Sequence, residues 1–566
     1  MKRWTVGLLA LTAVASPAAA DDNTDVLLDT ASAELERLWA ELSAQPEPAY
    51  WMELGIIDRT VTEVQATHGA ASAVNRYRVR LADVDVRVGS PELDSTHKIR
   101  DAGWFSEDQR PQIDIPFTDD EDAIRVGIWR ATDTAYRSAV RRLIKVRTNE
   151  AVKVDREDQS NDFSPVEPVV DLQDTPPLDV DSEAWQATVR RLSDLFLEYP
   201  DVYDSNVSFR VQDDVEYVLT SEGTRIRHRR YRVRFSAWGR TVADDGMSLE
   251  VYDYVDTAGL DAMPGEDDLE ALVRGVAART GELRQAPLVE PFVGPAILRG
   301  RAAAVFFHEI LGHRVEGHRQ KDEDESQTLT DKVGEAILPT FLSVYDDPSL
   351  KAFESVELNG YYPYDDEGVP GQRVAVVEDG VLENFLMSRA PIENFDHSNG
   401  HGRRQPGSAV VARQGNLLIQ ASPRETVSYD QLRARLISEI KRQDKPFGLI
   451  FDDITGGFTF TGRATPNSYS VQPVTVWKVY TDGRPDELVR GVDMIGTPLI
   501  TFSRIEAASD SYQVFNGVCG AESGWVPVSA IAPDMLVREV EVQRKEKGND
   551  RPPLLPPPGV RAGEGS

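Results

Sequence analysis

The chain has 566 residues, with 62 Lys and Arg against 94 Asp and Glu, so its formal net charge is −32. Because nucleic-acid binding normally requires a basic surface, this balance argues against a nucleic-acid partner. At 40% hydrophobic and 28% charged residues the chain can build hydrophobic cores, and its length indicates several globular units. A wholly disordered chain is excluded.

The first twenty residues have the pattern of a secretory signal peptide. Lys2 and Arg3 precede an apolar run from Trp4 to Val14, and the segment from Ser16 to Ala20 supplies small residues for cleavage. The run is too short to cross a bilayer, and no later stretch approaches the roughly twenty apolar residues that a membrane span requires. We therefore expect residues 1–20 to be removed and the product to be periplasmic or secreted, without a membrane span.

The next part of the chain predicts two related α+β units. The segment Asn75–Arg80 (NRYRVR) is answered 154 residues later by Arg229–Arg234 (RRYRVR). The same offset relates three further residues of the first unit to three of the second: Arg37 to Arg191, Leu38 to Leu192 and Pro46 to Pro200. We interpret the pattern as an internal duplication with copies at 21–150 and 183–299, each running helix, strands, helix. The Asp-, Pro- and Ser-rich segment 151–182 between them is predicted to be a solvated linker.

From residue 300 onward the pattern predicts a helix beginning at Arg301 and then a strand-rich domain that extends to 545. The turn Glu378–Gly380 indicates a hairpin of strands 373–377 and 381–387. Further strands are expected at 409–420, 447–452, 468–480 and 498–504, with a helix at 428–442. The Pro-rich tail 546–566 is predicted to be disordered.

The predicted fold class is therefore α+β. It combines an N-terminal α/β region that carries the duplication with a C-terminal, mainly antiparallel β domain. A metal-binding helix is expected at the entrance to that second domain.

Three of the eight histidines, His308, His313 and His318, fall within eleven residues of sequence HEILGHRVEGH. Zinc peptidases usually space two histidines four residues apart on one helix face. Here the spacing is five, which leaves two side chains about 140° apart on an ideal helix. Convergence therefore requires a bulge or a helix end, which Gly312 would permit. Glu309 would then face the open side of a metal ion as a general base.

A catalytic zinc ion needs about three protein ligands, so two histidines are not sufficient. His318 repeats the five-residue gap and is one candidate for the third ligand. Cys519, the only cysteine of the chain, is the other, and it lies in the glycine-flanked segment Asn516–Gly520. A thiolate is a strong zinc ligand, and an unpaired cysteine in an exported chain would thereby be explained. His318 stays open as an alternative ligand or as a residue that supports the ligands.

Taken together, these motifs resemble the TldD/PmbA metallopeptidases, once called modulators of DNA gyrase. Five segments carry the resemblance in order between about 300 and 540: the HExxxH motif at 308–313 followed by Glu316–Gly317, Asp365–Gln372, Asn399–Arg404, Gly491–Ile500 and Gly517–Gly520. The resemblance implies a zinc ion held by His308, His313 and Cys519, with Glu309 as the general base. It further implies a chain of the TldD kind, which carries the motif that the PmbA kind lacks, in a homodimer or a heterodimer with a related chain.

These features predict a secreted zinc peptidase that hydrolyses peptide bonds in extended or unfolded polypeptides. Glu309 would take a proton from the attacking water and pass it to the leaving amine. Substrate is expected to add as a strand beside the β domain, because main-chain pairing recognises extended peptides with little sequence demand. Arg403 and Arg404 would hold a substrate carboxylate there.

Two other hypotheses remain open on the sequence. One is a non-catalytic binding or assembly protein in which zinc only fastens the C-terminal domain, and the acid Glu309 beside the histidines counts against it. The other makes Cys519 a thiol nucleophile with His313 or His401 as its base, which would require no metal.

Overall fold

The computed structural model describes residues 25–99, 110–152, 158–322, 325, 327–459, 461–462, 469–545 and 550–555. The expected signal peptide and most of the expected tail lie outside the described residues, so both stay predictions. The described chain is mixed α+β, which confirms the predicted fold class. None of its described helices is long and apolar enough to cross a membrane.

The N-terminal half contains four helices and eight strands among its described residues. In chain order these elements are α1 (Val26–Leu42), β1 (Ala49–Thr67), β2 (Ala70–Ser90), β3 (Leu93–Asp94), β4 (Gln112–Asp114), α2 (Glu121–Val152), β5 (Val170–Leu172), α3 (Ser182–Asp194), β6 (Asp204–Thr220), β7 (Arg225–Val242), β8 (Ser248–Thr257) and α4 (Glu266–Gln285).

The C-terminal half is dominated by strands, and its helices are short except for two. Its elements are β9 (Phe292–Leu298), α5 (Gly300–Ile310), α6 (His318–Lys321), β10 (Leu342–Asp346), β11 (Ala352–Phe353), β12 (Val356–Glu357), β13 (Val374–Glu378), β14 (Val381–Leu382), β15 (Gly402–Arg403), β16 (Val411–Ala412), β17 (Asn416–Ala421), α7 (Tyr429–Arg442), β18 (Gly448–Thr459), β19 (Tyr469–Val479), β20 (Glu487–Val489), β21 (Val492–Gly496), α8 (Pro498–Phe502), β22 (Ile505–Ala521) and β23 (Gly524–Arg544).

The two N-terminal units share one eight-stranded sheet. Its order is β3-β2-β1-β6-β7-β5, with β4 on β2 and β8 on β7, and β1 pairs antiparallel with β6 where the units meet. The 154-residue offset maps Arg59 onto Asp213 and Thr60 onto Asp214, and these residues face each other as Arg59↔Asp214 and Thr60↔Asp213. The two units therefore meet around a local twofold relation at the centre of the sheet, and the duplication itself remains an interpretation.

All four N-terminal helices cover the same face of this sheet. Along β6 the residues Val207, Phe209 and Val211 are buried against α3 and α4, while α1 and α2 bury the neighbouring positions of β1 and β2. Strand residues alternate between faces, so the intervening positions such as Arg210 and Gln212 point away from the helices. That second face turns toward the C-terminal half and lines a cavity described below.

The C-terminal sheet has eleven strands among the described residues. Nine follow the order β14-β13-β10-β17-β23-β21-β19-β18-β9, and β20 pairs with β19 and β22 with β23. It is mainly antiparallel, and because β23 also pairs with β9, part of it closes into a ring. Helix α5 packs against β18, β22 and β23. Its run Ala302–Phe307 is apolar throughout because the helix is enclosed by the sheet on most of its circumference, and these residues belong to the main hydrophobic core.

The structure corrects three expectations about the elements. The segment 498–504 is not a strand: Pro498 opens α8, and Phe502 stacks against Phe307 with ring centroids 5.6 Å apart. Short apolar runs do not distinguish helix from strand by periodicity, which explains the error. Strand β9 belongs to the C-terminal sheet, although the expected boundary at 300 had placed it in the second N-terminal unit.

The expected linker 151–182 is also more than a solvated connection. Phe163 is buried against Trp51 with ring centroids 4.8 Å apart, and the guanidinium carbon of Arg389 lies 4.0 Å from its ring centroid. Strand β5 of the same segment pairs with β7. Apolar residues scattered among Asp and Pro therefore anchor the described part of this segment to both halves of the chain.

Candidate metal centre

Helix α5 ends between the two histidines of the HExxxH motif. His308 lies in its last turn, Leu311 is the C-cap, and a 3-10 turn over Gly312–Arg314 carries His313. The tighter turn changes the direction of the chain, so the five-residue spacing no longer separates the two side chains as an ideal helix would. Arg314 caps the helix end, because its Nη1 donates to the carbonyl oxygens of Glu309 at 3.3 Å and Ile310 at 2.9 Å.

The hairpin of β22 and β23 brings the third candidate ligand to the same point. Cys519 Sγ lies 3.2 Å from His308 Nε2 and 3.3 Å from His313 Nε2, and all three side chains are buried. One ligand atom from each residue lies within 4.8 Å of the others. In a tetrahedral zinc site the sulfur and nitrogen ligands are separated by roughly 3.5 Å. The donor set and its spacing therefore fit a metal ion.

Gly312 is required for space rather than for an unusual backbone conformation. A Cβ atom at this position would lie 1.9 Å from Oε1 of Gln414, whose side chain is buried against the turn. Gln414 Nε2 in turn donates to the carbonyl oxygen of His308 at 3.4 Å. Gly312 is not among the residues with positive φ, so the sequence argument identified the right residue for a different reason.

A buried carboxylate supports His313 from behind. Glu316 Oε2 lies 3.3 Å from His313 Nδ1 and accepts from Arg319 Nε at 2.8 Å. Arg413 stands 3.4 Å from the other carboxylate oxygen and donates from Nη2 to the carbonyl oxygen of Cys519 at 2.9 Å. A carboxylate on the far nitrogen of a ligand histidine fixes the orientation of the ring and increases its basicity.

The electrostatics of the cluster favour a thiolate. Burial alone would raise the pKa of the Cys519 thiol, but His313, His308 and Arg413 hold that pKa well below its usual value. Burial would likewise lower the pKa of His313, yet Cys519 and Glu316 raise it well above 6.5. A thiolate between two imidazoles is a set of ligands that binds zinc strongly once the imidazoles release their protons.

Burial alone would also raise the pKa of Glu316. His313 and Arg319 oppose that effect and lower the pKa to about 2. The carboxylate is thus held in its charged form throughout the neutral range, as its contact with a ligand histidine requires.

Glu309 follows His308 and faces β18. Glu309 is 8% exposed, and its charge is among those that oppose the lowering of the Arg314 pKa by burial. A Cβ atom on Gly457 of β18 would lie 3.1 Å from Glu309 Cγ, so the glycine provides the room for this side chain. The charge of Glu309 is also close enough to contribute to the raised pKa of His308, although burial opposes it.

His318 does not join the three convergent residues. Its Nε2 makes a short contact with Oε1 of Glu522, which also accepts from Arg319 Nη2 at 2.9 Å. Glu522 lies in the turn between β22 and β23, three residues after Cys519. The contact therefore links the histidine segment to the end of the hairpin that carries the thiol, while the His318 ring itself points to a carboxylate.

Arg403 and Arg404 lie away from the histidines, against the N-terminal sheet. Arg404 Nη1 donates to Asp83 Oδ2 at 2.7 Å and Nη2 to Glu53 Oε1 at 3.2 Å, which ties the two halves of the chain together. Arg403 is buried and donates to the carbonyl oxygens of Gln414 and Pro527. Both guanidinium groups are engaged by the protein, and the expectation that the pair holds a substrate carboxylate beside the β domain stays a prediction.

His401 is also held elsewhere. Its Nε2 lies 3.1 Å from Asp346 Oδ1 and its Nδ1 lies 2.9 Å from Asn399 Oδ1, with both His401 and Asp346 fully buried. These contacts occupy both ring nitrogens, so the geometry gives His401 no role as a base for Cys519.

The residues that complete the centre were only partly visible in the sequence. Glu316 belongs to the quoted motif, and an acid three residues after a ligand histidine is a recognisable cue. Arg413, Gln414 and Glu522 lie 100, 101 and 209 residues after His313, in stretches that have no distinctive spacing. Only the fold brings these three side chains to the cluster.

The chain is similar to known proteins, chiefly over its C-terminal half. Residues 293–544 match the family described as "PmbA/TldA metallopeptidase C-terminal domain". A protein of Methanothermobacter thermautotrophicus named "Metalloprotease" is 26% identical over 349 residues, which cover 60% of this chain and 70% of that protein. A "Zinc metalloprotease TldD homolog" of Saccharolobus solfataricus is 23% identical over 252 residues, which cover 44% of this chain and 51% of that protein.

The fold is also found in solved structures. The crystal structure of TldE from Thermococcus kodakarensis superposes with a TM-score of 0.59 at 15% identity, covering 90% of this chain and 99% of that one. The matched domain is that of a metallopeptidase family, and the solved structure shows the same fold. Over residues 293–544 the chain carries the C-terminal domain of the PmbA/TldD family, which confirms the resemblance found in the sequence.

Proposed function

We propose that this chain is a zinc-dependent peptidase that hydrolyses peptide bonds in extended or unfolded polypeptides. The observation that carries the proposal is the convergence of His308, His313 and Cys519 beside the acid Glu309. The donor set supports zinc because thiolate and imidazole are the ligands that zinc prefers. A relative named as a zinc metalloprotease supports the same choice.

Zinc, when bound, supplies a Lewis acid that polarises a carbonyl group and makes a water molecule more acidic. Glu309 would accept the proton of the attacking water and deliver it to the nitrogen of the leaving amine. Its carboxylate suits this role because it is nearly buried and directly follows a ligand histidine, with Gly457 leaving room beside it. Glu316 would keep the His313 ring in one orientation through its contact with Nδ1.

The substrate would add as a strand to the edge of β18 next to Glu309. β9 pairs with β18 only at Leu449–Phe451, and β19 occupies the other side of the strand. Beyond Phe451 one edge of β18 has no partner strand among the described residues. Backbone N–H and C=O groups on such an edge pair with an extended peptide whatever its side chains are. Gly457 would then bring this peptide close to the general base.

The two alternatives are less well supported by the geometry. A purely structural zinc site normally has four protein ligands, and only three side chains converge among the described residues. The thiol-nucleophile hypothesis needs only His313 as a base, with Glu316 on its far nitrogen, and it does not account for His308 on the same sulfur. Both remain defined outcomes of the experiment below.

Export and assembly complete the proposal. The positively charged start, apolar run and small residues of 1–20 support a periplasmic or secreted location. The family relationship supports a homodimer or a heterodimer with a related chain, and the acidic charge supports the absence of a nucleic-acid partner.

The experiment is cleavage of an unfolded protein by purified wild type and a Glu309→Gln variant, with the zinc content of each measured. The matched control is Glu425→Gln, which removes an exposed acid of the same half of the chain without touching the three ligands or the residues that support them. We expect Glu309→Gln to keep zinc and lose cleavage by a factor of about 100 or more, the size expected for loss of a general base.

Normal cleavage by Glu309→Gln would refute the assigned base. Cleavage that survives a chelator but is lost in Cys519→Ser would favour the thiol nucleophile. Zinc binding without cleavage of any unfolded protein would favour the binding-protein alternative.

A further inference from the structure

A cavity of about 410 Å³ lies between the helix-free face of the N-terminal sheet and the C-terminal domain. Its floor is formed by alternate residues of β6 and β7. Val233 and Phe235 of β7 face the helices, so Arg232 and Arg234 face the cavity. This volume is typical of sites that bind a ligand of several residues or a small organic molecule.

Arginines dominate the cavity. Seven of them and four carboxylates line it, in a chain whose net charge is −32. The arginines are Arg59, Arg210, Arg230, Arg232, Arg234, Arg403 and Arg404. Three further carboxylates outside the lining, Asp214, Glu53 and Glu63, contact these arginines, so the arginines and carboxylates are equal in number. The feature to explain is therefore a row of guanidinium groups that face an open cavity.

Two of these arginines have little compensation from the protein. Asp214 accepts from Arg59 at 2.7 and 2.9 Å, and Arg232 shares the same carboxylate through one hydrogen bond of 3.0 Å. Burial lowers the pKa of Arg232 to about 10, with Arg230 and Arg59 adding to the effect against Asp214. Arg210 stands at the rim, 3.4 Å from Glu63. Each guanidinium has five N–H donors, so Arg210 and Arg232 can accommodate a further anion.

The wall opposite the arginines is apolar and belongs to the β22–β23 hairpin. Val518 pairs with Pro527 and Gly520 pairs with Trp525, so these residues share the face of the hairpin opposite Cys519. The Trp525 ring lies over Gly520, where a Cβ atom would be only 2.8 Å from it, and the side chain is 66% exposed. An exposed tryptophan beside a row of arginines offers both an apolar and a charged surface to one ligand.

We propose that this cavity binds an acidic stretch of polypeptide, whose Asp and Glu side chains reach Arg210 and Arg232 while its apolar groups rest on Trp525. Guanidinium groups recognise carboxylates through paired N–H donors, and an aromatic wall suits an extended chain better than it suits a small inorganic anion. In identifying the ligand as part of the substrate, the inference rests on the proposed peptidase function.

The position of the cavity makes this site separate from the point of cleavage. Cys519 projects from one face of the hairpin toward the histidines, and Val518 and Trp525 project from the other face toward the cavity. A substrate held in the cavity would be anchored by a segment distant from the bond that is cleaved. Binding therefore does not require the metal, which allows binding and catalysis to be tested independently.

The experiment measures binding of fluorescein-labelled hexaglutamate by anisotropy, with hexaglutamine as the neutral comparison. All proteins carry Glu309→Gln to prevent cleavage. The test variant is Arg210→Gln/Arg232→Gln, in which Asp214 keeps its two hydrogen bonds to Arg59. The matched control is Arg433→Gln/Arg484→Gln, which removes the same charge outside the cavity. Arg433 matches Arg232 in exposure, because their side chains are 31% and 32% exposed.

We expect hexaglutamate to bind more tightly than hexaglutamine, and the affinity to decrease with added salt. The cavity variant should weaken binding by about tenfold or more, the order expected when charge-assisted hydrogen bonds are lost, whereas the control should change it less than twofold. Cys519→Ser should bind hexaglutamate normally. If binding persists while the wild type cleaves no protein, the site stands and the peptidase proposal fails.

Three results would overturn the inference: equal affinity for the two peptides, an equal loss in the cavity and control variants, or inorganic phosphate that competes as strongly as hexaglutamate. The second would show an effect of net charge alone. The third would show a small-anion site. Thermal unfolding of each variant confirms that the comparison is made between folded proteins.

Discussion

The most specific prediction concerns Gly312→Ala. The added Cβ atom would lie 1.9 Å from Gln414 Oε1, so the amide must move by roughly 1.5 Å to reach an ordinary contact of 3.4 Å. Gln414 is buried, and such overpacking costs about 1–3 kcal/mol. We expect Gly312→Ala to lower the free energy of unfolding by about 2 kcal/mol in urea denaturation of the metal-free protein. Its zinc affinity should also fall, because the turn that carries His313 is displaced.

The double variant Gly312→Ala/Gln414→Ala provides the control. Truncation of Gln414 removes the three atoms that the new methyl group would meet, so the penalty for Gly312→Ala should fall below about 1 kcal/mol in that background. An equal penalty in both backgrounds would refute the reasoning. It would show that Gly312 is needed for its backbone conformation and not for the space it leaves.

Two further residues give matched predictions. Gly457→Ala should lower kcat about tenfold or more while zinc content is kept, because its Cβ atom would lie 3.1 Å from Glu309 Cγ and 2.9 Å from the Ser470 carbonyl oxygen. The control Gly456→Ala, whose Cβ atom meets nothing within 4 Å, should leave kcat unchanged. Equal effects of the two substitutions would contradict the position of Glu309. Glu316→Gln should weaken zinc binding by about 10–100-fold in a chelator competition, and an unchanged affinity would show that the carboxylate does not support His313. The pKa of Glu316 is lowered to about 2 in the folded protein, so its contribution to stability is present above its usual pKa of 4.5 and is lost as pH falls from there toward 2. Unfolding measured at several pH values should show the free energy of unfolding decline by roughly 3 kcal/mol over this range, a decline that Glu316→Gln lacks. Identical pH profiles of the two proteins would contradict the prediction.

The local part of the metal centre could be predicted from the sequence because it depends on spacing alone. The five-residue spacing of His308 and His313 requires a bulge or a helix end, and α5 does end at Ile310. The pairing of a single cysteine with these histidines rested on ligand chemistry and on resemblance. The sequence could not show how Cys519 reaches the histidines. In the structure the β22–β23 hairpin brings it to His308 across 211 residues of sequence.

Long-range contacts account for most of what the sequence did not reveal. Arg403 and Arg404 have the composition of an exposed cationic pair, yet Asp83 and Glu53 from another part of the chain enclose Arg404. The segment around Phe163 has the composition of a linker, although this ring is buried. Composition reports average exposure, whereas these contacts depend on which segments the sheet topology places together.

The cavity on the polar face of the N-terminal sheet is another feature that the sequence alone did not reveal. The RRYRVR segment was visible as a repeat, and its alternation correctly implied a strand with two different faces. Only the domain arrangement shows that the arginine face is covered by the β22–β23 hairpin and so forms a cavity.

The most direct test of the metal centre is the zinc content of purified wild type, Cys519→Ser and His318→Ala, measured by elemental analysis. The geometry predicts about one zinc ion per chain in wild type and in His318→Ala, and a loss of most of the zinc in Cys519→Ser, because the thiolate is one of three ligands. A wild type without zinc, or a Cys519→Ser variant that keeps zinc while His318→Ala loses it, would contradict the assignment.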